Sequence, residues 1–385
     1  MTETGANDEP IPLFRIDWDE TELKNAVESI TRGGYWANGP FVDQFEELLA
    51  AYFDVEHAVV FNSGTSALVS SLDAAGAGPG DEVIVPSFTF IATANAVKAV
   101  GATPVFADIE PAYYGLDPDA VRDAITDETA AIVPVHYAGH PCRIGELQEI
   151  AAAHDLHLIE DAAEAQGARY ESQPVGTLGD AGVLSFCQNK IITTGEGGAV
   201  VTDDDGIAKR LRLRRSHGRA SGEYFDSAET GEYVAMGYNF RMPDIAAALG
   251  VAQMERIEDI IERRRAIAAD LTERIAGIEG VHPPVEAEDA RHVYQLYTVA
   301  FDEVIDRDAV IEYLAERDIA SKVYFEPIHL SRFYRAEHGS EPGMLPTTEA
   351  MSERVLSLPM HANLPPAHRQ RIAAELAAAV ENCRA

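Results

Sequence analysis

One lysine of this acidic chain lies in a sequence context that suits covalent chemistry. Lys190 follows the apolar run VLSF and precedes the glycine-rich turn TTGEGG, and the chain has only four other lysines among its thirty Lys and Arg residues. A lysine in a semi-buried position loses proton affinity and can form a Schiff base with an aldehyde. Because lysine is so scarce here, we favour this interpretation over a surface lysine in a turn.

Three further stretches carry polar side chains where a strand ends or a helix begins. In FNSGTSAL, a glycine turn leads into a helix near Thr65 and Ser66, whose free N–H groups and hydroxyls suit an anion. In LIEDAAEAQGA, Asp161 ends an apolar strand, where it could face a cofactor cation or an arginine. In GYNFRMPDIAAALG, Asn239 and Arg241 precede a helix start, which suits anion binding. Capping and turn chemistry explains each stretch about equally well when it is taken alone.

Short β-rich runs alternate with alanine-rich helical stretches along the first half of the chain. This alternation predicts an α/β fold built of βαβ units, with a mainly parallel sheet. Ligands of such sheets bind outside the carboxyl ends of the strands, so the polar stretches above would meet there. The predicted strands cover residues 57–61, 82–86, 104–108, 131–135, 156–161, 182–186 and 199–203.

The chain is predicted to form two domains. Residues 1–255 would be the large domain, with a loose tail at 1–12, and residues 256–385 a smaller α+β domain. Residues 244–276 read as one long helix that bridges the two. In the smaller domain, VYQLYTVAF and ASKVYF are predicted as strands, and DRDAVIEYLAERD and PAHRQRIAAELAAAVENC as helices.

The charge balance limits the choice of partners. The formal net charge is -34, and such a surface repels phosphate backbones and anionic lipids, so neither nucleic acid nor membrane is expected as a partner. Excess acid with scarce lysine favours a protein adapted to high salt, because the Debye length at 1 M salt is only about 3 Å and the self-repulsion is screened. An ordinary acidic cytosolic protein is the alternative.

The cysteines and the N-terminus indicate the compartment. Cys142, Cys187 and Cys383 lie far apart, without metal or disulfide spacing, which fits a reduced cytoplasm and predicts no metal site. The N-terminal sequence is polar and acidic, which predicts no signal peptide. No apolar run approaches the roughly 20 residues that cross a bilayer. We therefore expect a cytoplasmic protein.

Seven motifs in this order resemble the DegT/DnrJ/EryC1/StrS family of sugar aminotransferases, which use pyridoxal 5'-phosphate and have the aspartate aminotransferase-like fold type I. The resemblance runs from about Ile11 to Leu364, nearly the whole chain. One motif alone would be weak, but seven with sensible gaps are specific. The motifs are NSGTSAL, PSFTFIATANAV, PVHYAGHP, IEDAAEAQGA, SFCQNKIITTGEGGAVVT, GYNFRMPDIAAALG and EPIHL.

The resemblance assigns roles to the singled-out residues. Lys190 would bind the cofactor aldehyde covalently and act as the catalytic base, and Asp161 would pair with the pyridine nitrogen. Phe90 would stack on the cofactor ring. The residues that would bind the phosphate are Gly64, Thr65, Ser66, Ser185 and, from the neighbouring subunit, Asn239. The resemblance therefore implies a homodimer with shared active sites.

Glu164 is where this chain departs from a common family pattern. Many members have Gln or His at this position, which hydrogen-bonds the cofactor O3′. A carboxylate would repel a phenolate there unless it is protonated or turned toward the substrate. Together with GHP after PVHYA and with NKIITTGEGG, a glutamate at this position resembles the perosamine-synthase branch of the family more than the branch that acts at C3. The resemblance thus implies amino transfer from L-glutamate to a nucleotide-diphosphate keto-6-deoxy sugar, at C4 in preference to C3, for glycan or polysaccharide biosynthesis.

The substrate residues implied by the resemblance are less specific. Arg241 and His329 match positions near the substrate, and the run at residues 210–219 contributes Arg219 and His217 as candidate diphosphate ligands. That run suits either a loop over the active site or a helix face that neutralises local acids. We keep both possibilities open.

Three other functions are considered. Some relatives use the cofactor for dehydration and have His at the lysine position, which Lys190 argues against. A nicotinamide oxidoreductase is disfavoured because no GxGxxG follows the first strand. A non-catalytic regulatory protein that binds the cofactor stays open, although the chain has no DNA-binding motif.

Overall fold

The computed structural model describes residues 9–220 and 231–384, and the account below concerns those residues. The strands are β1 (His57–Phe61), β2 (Glu82–Pro86), β3 (Thr103–Ala107), β4 (Thr129–Ile132), β5 (His157–Asp161), β6 (Arg169–Tyr170), β7 (Gln173–Pro174), β8 (Ala181–Ser185), β9 (Gly198–Thr202), β10 (Val281–His282), β11 (Ala290–Arg291), β12 (Tyr297–Phe301) and β13 (Val355–Leu358).

Helices connect most of these strands. They are α1 (Glu20–Thr31), α2 (Pro40–Phe53), α3 (Gly64–Ala75), α4 (Ala92–Ala99), α5 (Pro118–Ala124), α6 (Ile144–His154), α7 (Asp205–Arg215), α8 (Asp244–Met254), α9 (Ile257–Ile275), α10 (Arg307–Ala315), α11 (Arg332–His338), α12 (Pro346–Arg354) and α13 (Pro366–Asn382).

A seven-stranded sheet forms the centre, in the order β1-β9-β8-β5-β4-β2-β3. The pairs from β8 to β3 are parallel, and the β1–β9 and β9–β8 pairs are antiparallel. The predicted mainly parallel sheet is therefore confirmed. Every residue of β8 and β9 is buried, which is why these strands read as apolar runs rather than as alternating patterns.

Each face of the sheet carries its own hydrophobic core. On one face, α3, α4 and α7 pack around Leu72, Val97 and Leu211. On the other, α2, α6, α8 and α9 pack around residues that include Phe45 and Leu147. With both faces covered, the carboxyl edge of the parallel strands is where loops and side chains can converge.

The C-terminal part has a separate, smaller core. Strands β10, β12 and β13 form an antiparallel sheet, on which α9, α10 and α13 pack. The boundary predicted at residue 255 stays a prediction. Ile11 is buried in this core and pairs with Ile319, so the predicted loose tail ends before Ile11, and residues 1–8 lie outside the described residues.

Two predicted elements of this part are wrong. The long helix at 244–276 is two helices, because Arg256 leaves the helical conformation (φ -120°, ψ 6°) while its guanidinium binds Asp17 and Glu22. ASKVYF is not a strand: only Lys322 forms a bridge, to Ser357. Periodicity could not reveal either result, since both depend on contacts with distant segments.

No helix among the described residues combines the length and apolar character needed to cross a membrane.

Candidate active site

The predicted catalytic residues converge at the carboxyl edge of the central sheet. Asp161 is the last residue of β5, and Ser185 is the last residue of the neighbouring strand β8. The loop after Ser185 carries Lys190, whose backbone N–H donates to the Cys187 carbonyl at 3.0 Å. Gln166 ties this loop down by donating to the Ser185 carbonyl and accepting from the Ile192 N–H at 3.3 Å.

Lys190 forms an ion pair with Glu164. The ammonium Nζ lies 3.2 Å from Oε1 of Glu164, and the side chains are only 12% and 7% exposed. The second carboxylate oxygen of Glu164 accepts from the Ala138 N–H at 3.1 Å. The lysine predicted from scarcity is thus semi-buried, with its amine directed by a carboxylate that is itself held by the backbone.

Asp161 is a buried carboxylate without a close cation. Its Oδ2 accepts from the Thr93 hydroxyl at 2.8 Å and its Oδ1 from the Ala163 N–H at 3.2 Å. Burial raises the pKa of Asp161, against the opposing effects of Thr93, Ala163 and the Lys190 charge. No ion-pair partner lies within 4.0 Å among residues 9–220 and 231–384. A buried carboxylate in this state is stabilised by a cation that can approach it.

A small cradle of N–H groups and hydroxyls lies where α3 begins, next to Ser185. Ser63 caps α3 by accepting from the Ser66 N–H at 3.0 Å, and the Ser66 hydroxyl donates to Asn62 at 2.7 Å. A Cβ on Gly64 would lie 3.0 Å from the Ser185 Cβ, so glycine permits this close approach. Thr65 is exposed, and the helix N-terminus favours an anion there.

Phe90 presents an aromatic ring at the same edge. Its side chain is 60% exposed, which is unusual for a phenylalanine, and its ring centroid lies 6.2 Å from that of Phe325. Phe90 lies two residues before the start of α4, which carries Thr93. The ring is therefore linked through a few residues of backbone to the Thr93–Asp161 hydrogen bond.

These groups fit pyridoxal phosphate. The unpaired buried carboxylate of Asp161 suits a protonated pyridine nitrogen, the cradle at Gly64 and Ser185 suits a phosphate, and Lys190 suits the aldehyde. Phe90 offers a face for a planar ring. Glu164 is compatible because its charge is already offset by Lys190 and the Ala138 N–H.

Three of the predicted substrate residues, Arg241, His217 and Arg219, line a separate cavity of about 1280 Å³. Its lining includes neither Lys190 nor Asp161 among the described residues. Burial, followed by the charges of Arg219 and Arg215, lowers the pKa of Arg241, whose guanidinium donates to the Ser216 hydroxyl at 2.9 Å. The basic residues of the lining are Lys209, Arg212, Arg215, His217, Arg219 and Arg241.

The basic run 210–219 is largely helical. Its first six residues lie in α7, where Arg214 binds Asp73 and Arg215 binds Glu46. That part matches the alternative in which a helix face neutralises acids, although the acids are not the ones next to it in sequence. Arg219 follows the helix, and its guanidinium lies 5.9 Å from the Tyr233 ring centroid.

Lys190, Glu164 and Asp161 form the Lys190 group. Among the described residues, neither Asn239 nor His329 forms a hydrogen bond with this group. Asn239 is exposed, its backbone pairs with Ser216, and no hydrogen bond among the described residues joins it to Lys190 or Asp161. His329 is 1% exposed, with one ring nitrogen on Ser87 and the other on Glu349. Direct substrate contact by His329 stays a prediction, and as placed this side chain is enclosed by protein.

Several residues of the site were not singled out from the sequence. Thr93 binds Asp161, the Ala138 N–H binds Glu164, and burial and then the Glu164 charge raise the pKa of Tyr324. Thr93 lies within the motif PSFTFIATANAV, so its four-residue spacing from Thr89 was a usable signal. Tyr324 had none, because its segment was interpreted as a strand.

Known proteins resemble this chain over nearly its full length. Residues 17–377 match the DegT/DnrJ/EryC1/StrS aminotransferase family. A GDP-perosamine synthase from Caulobacter vibrioides is 41% identical over 365 residues, 94% of this chain and 95% of that protein. A dTDP-3-amino-3,4,6-trideoxy-alpha-D-glucose transaminase from Streptomyces venezuelae is 39% identical over 345 residues, 89% of this chain and 88% of that protein.

A solved structure is also similar to this chain over nearly its full length. The PLP-form of the putative sugar aminotransferase Spr1654 from Streptococcus pneumoniae superposes with a TM-score of 0.91 at 29% identity. The superposition covers 97% of this chain and 99% of that one. The agreement therefore extends over the central sheet and the C-terminal part together.

Proposed function

This chain belongs to the DegT/DnrJ/EryC1/StrS aminotransferase family, and its predicted class and cofactor, a sugar aminotransferase that uses pyridoxal phosphate, are confirmed. On that premise we propose that it transfers the amino group of L-glutamate to C4 of a nucleotide-linked 4-keto-6-deoxy sugar. The observation that carries the proposal is the grouping of Lys190, Glu164 and Asp161 at one edge of the sheet.

The proposed chemistry divides between the cofactor and the side chains. When bound, pyridoxal phosphate supplies an electron sink for the carbon that loses a proton. Asp161 would keep a proton on the pyridine nitrogen, and the Gly64–Ser185 cradle would bind the phosphate. The Nζ of Lys190 would hold the cofactor by its aldehyde and, once released, would take up the proton that the amino donor loses from Cα. Glu164 orients that amine through the 3.2 Å contact.

The preference for C4 rests on Glu164 and not on overall identity. The relative named as a perosamine synthase and the one named as a 3-amino-sugar transaminase differ by only two percentage points of identity to this chain. Glu164 places a carboxylate beside Lys190, in contrast to the neutral side chain expected for many relatives. We therefore propose the perosamine-synthase-like branch and test it by regiochemistry.

We expect faster amination of a 4-keto than of a 3-keto substrate. With ¹⁵N-labelled L-glutamate, kcat/KM for a nucleotide-linked 4-keto-6-deoxy sugar should exceed that for the 3-keto isomer by about 100-fold, since an unmatched polar group is rejected strongly. NMR of the ¹⁵N-bearing carbon identifies the position. A faster reaction with the 3-keto isomer would reverse the C4 assignment, and label transfer from L-alanine alone would reverse the donor assignment.

A homodimer with shared sites accounts for two features of the surface. One side of α1 exposes apolar side chains, since about half or more of the surface of Leu23, Val27 and Ile30 is accessible to solvent. Trp18 and Trp36 are exposed to a similar extent. Apolar patches of this kind mark interaction surfaces. Asn239, a predicted phosphate ligand, is exposed and apart from Lys190. These features support a second copy of the chain that covers α1 and supplies Asn239.

Mixed dimers test this arrangement directly. Lys190→Ala and Asn239→Asp chains with different tags should each be inactive, because one lacks the amine and the other repels the phosphate. A purified mixed dimer should recover about half of the wild-type activity, since one of its two sites combines intact Lys190 with intact Asn239. Lys190→Ala chains carrying both tags serve as the control. An inactive mixed dimer would mean that Asn239 acts in its own subunit.

A further inference from the structure

A buried chain of three polar side chains lies outside the Lys190 group. The Ser87 hydroxyl oxygen lies 2.7 Å from Nδ1 of His329, and Nε2 of His329 lies 3.1 Å from Oε1 of Glu349. Ser87 and His329 are 0% and 1% exposed. Ser87 directly follows β2, whereas His329 and Glu349 come from the C-terminal part of the chain, more than 240 residues away.

The hydrogen bonds among Ser87, His329 and Glu349 have one consistent direction. The backbone N–H of His329 donates to the Ser87 hydroxyl oxygen at 3.0 Å, which leaves the hydroxyl hydrogen to donate to Nδ1. With Nδ1 as the acceptor, Nε2 carries a proton that faces the Glu349 carboxylate. The hydroxyl of Ser87 and both ring nitrogens of His329 have a partner in this arrangement. A third bond, from the Ile328 N–H to the Ser87 carbonyl at 3.0 Å, closes the contact.

Glu349 is itself held in place by backbone. It accepts from the Gly343 N–H at 2.8 Å and from the Leu345 N–H at 3.2 Å. Although burial acts in the opposite direction, these bonds and the His329 contact lower the pKa of Glu349. A second carboxylate, that of Asp108 directly after β3, accepts from the Thr348 N–H at 2.8 Å. Helix α12 is therefore fastened to the ends of two neighbouring strands of the central sheet.

A serine–histidine–glutamate row can also be the signature of a nucleophile activated by a base. Here that interpretation fails on access, because Ser87 has no exposed surface and its hydroxyl oxygen already contacts both the backbone and the ring of His329. A reacting carbonyl could not reach it. The row acts as a structural contact between two segments of the chain.

The segment that follows Ser87 leads to the active site. Segment 87–93 is held at its far end by Thr93, whose hydroxyl donates to Asp161 at 2.8 Å and lies 3.1 Å from that of Thr89. Phe90 projects from the middle of the segment and is 60% exposed. Ser87 is the other fixed end, so the Ser87–His329 contact sets where the segment starts and hence where Phe90 stands.

The partner segment contributes to the same place. Phe325, four residues before His329, lies 6.2 Å from the Phe90 ring and 6.2 Å from the Tyr137 ring. Burial, followed by the Glu164 charge, raises the pKa of the neighbouring Tyr324. The Ser87–His329 contact thus aligns two segments that both reach the Lys190 group.

We propose that Ser87 and His329 are positioning residues for the amino transfer: their buried contact, supported by Glu349, aligns Phe90 with Asp161 and Lys190. This inference rests on the proposed function, and it gives His329 a role without substrate contact. Neither residue touches the reacting atoms, and both act through segment 87–93. A shift of about 1 Å in such a segment can cost about 100-fold in rate.

Ser87→Ala is the first variant, because it removes one oxygen and leaves the backbone bond to Ile328. In the holoenzyme we expect kcat to fall about 10- to 100-fold with KM for the keto sugar nearly unchanged. The circular dichroism band of the bound cofactor should weaken. In protein without cofactor, amide exchange of residues 88–93, followed by mass spectrometry, should accelerate about tenfold.

Ser70→Ala is the matched control, since Ser70 is a fully buried serine whose hydroxyl has no hydrogen-bond partner among the described residues. This variant should leave kcat, the dichroism band and the exchange rate unchanged.

Two substitutions of His329 separate positioning from general stability. His329→Asn keeps an oxygen near the position of Nδ1 for the Ser87 hydroxyl, so it should retain most of the kcat and the dichroism band. His329→Leu keeps neither contact and should resemble Ser87→Ala. If His329→Leu does not fold, Ser87→Ala and His329→Asn still decide the question.

Two results would overturn the positioning role. One is a Ser87→Ala holoenzyme with wild-type kcat and dichroism, even if its melting temperature falls. The other is an exchange rate of residues 88–93 that is unchanged in protein without cofactor. Failure of the proposed function is distinguishable, because it appears as absent turnover in the wild-type enzyme with either keto sugar.

Discussion

Replacing Lys190 with alanine is expected to lower kcat by about 10⁴-fold or more, because one side chain supplies both covalent attachment and proton transfer. The Nζ atom lies 3.2 Å from Glu164 in a semi-buried position, and no other lysine of the described residues forms an ion pair with Glu164 or Asp161. Turnover is followed with ¹⁵N-labelled L-glutamate. In the wild type, borohydride reduction and mass spectrometry should locate a pyridoxyl phosphate group on the peptide that contains Lys190.

Controls separate lost chemistry from lost structure. Lys98→Ala removes a partly exposed lysine of α4 that pairs loosely with Glu337 at 3.7 Å, and it should leave kcat unchanged. Ethylamine added to Lys190→Ala should restore part of the turnover by taking over the proton transfer. Turnover of Lys190→Ala without added amine, or a pyridoxyl group on another lysine, would contradict the assignment.

Replacing Asp161 with asparagine should reduce activity and stabilise the cofactor-free protein at the same time. Without the carboxylate the pyridine nitrogen loses the charge that keeps its proton, and kcat should fall about 100- to 1000-fold, as when a directed electrostatic contact is removed. The stability effect follows from the raised pKa of Asp161, which burial causes. Activity assays and thermal melts of cofactor-free protein measure the two effects.

The stability of the folded protein depends on pH through Asp161. A folded-state pKa above the unfolded value means that the folded protein binds the proton more tightly, so stability falls as pH rises from about 3.8 through the folded-state pKa. At pH 7, well above 3.8, the burial of Asp161 therefore costs stability, and asparagine removes that cost while still accepting from Thr93. The melting temperature of Asp161→Asn should exceed that of the wild type at pH 7, with the difference shrinking in acid.

Asp180→Asn is a matched control with the opposite sign. Its hydrogen bond to His157, at 2.9 Å, lowers the pKa of Asp180, as does the Leu158 N–H, against burial. Removing this carboxylate should lower the melting temperature at pH 7 and leave kcat unchanged. If Asp161→Asn and Asp180→Asn both lowered the melting temperature, the carboxylate of Asp161 would stabilise the cofactor-free fold, which would contradict its assignment as a cofactor ligand.

The strands of the central sheet could be predicted because of how they are buried. Buried parallel strands are apolar on both faces, so runs such as EVIVP and GVLSF identify themselves without knowledge of their neighbours. β2 is EVIVP at the predicted bounds, and β8 is shifted by one residue. ASKVYF has the same local character but was wrongly predicted as a strand, because its backbone finds partners one by one in other segments.

The sequence alone determined the family, the cofactor and the candidate catalytic residues, since Lys190 and Asp161 lie in motifs whose local amino-acid sequence is specific. Only the tertiary structure decided that Glu164 pairs with Lys190, that Thr93 binds Asp161, and that His329 is enclosed against Ser87. These contacts join residues 26, 68 and 242 positions apart. Composition and periodicity report burial within one element, whereas such pairings depend on how loops from several elements pack at the edge of the sheet.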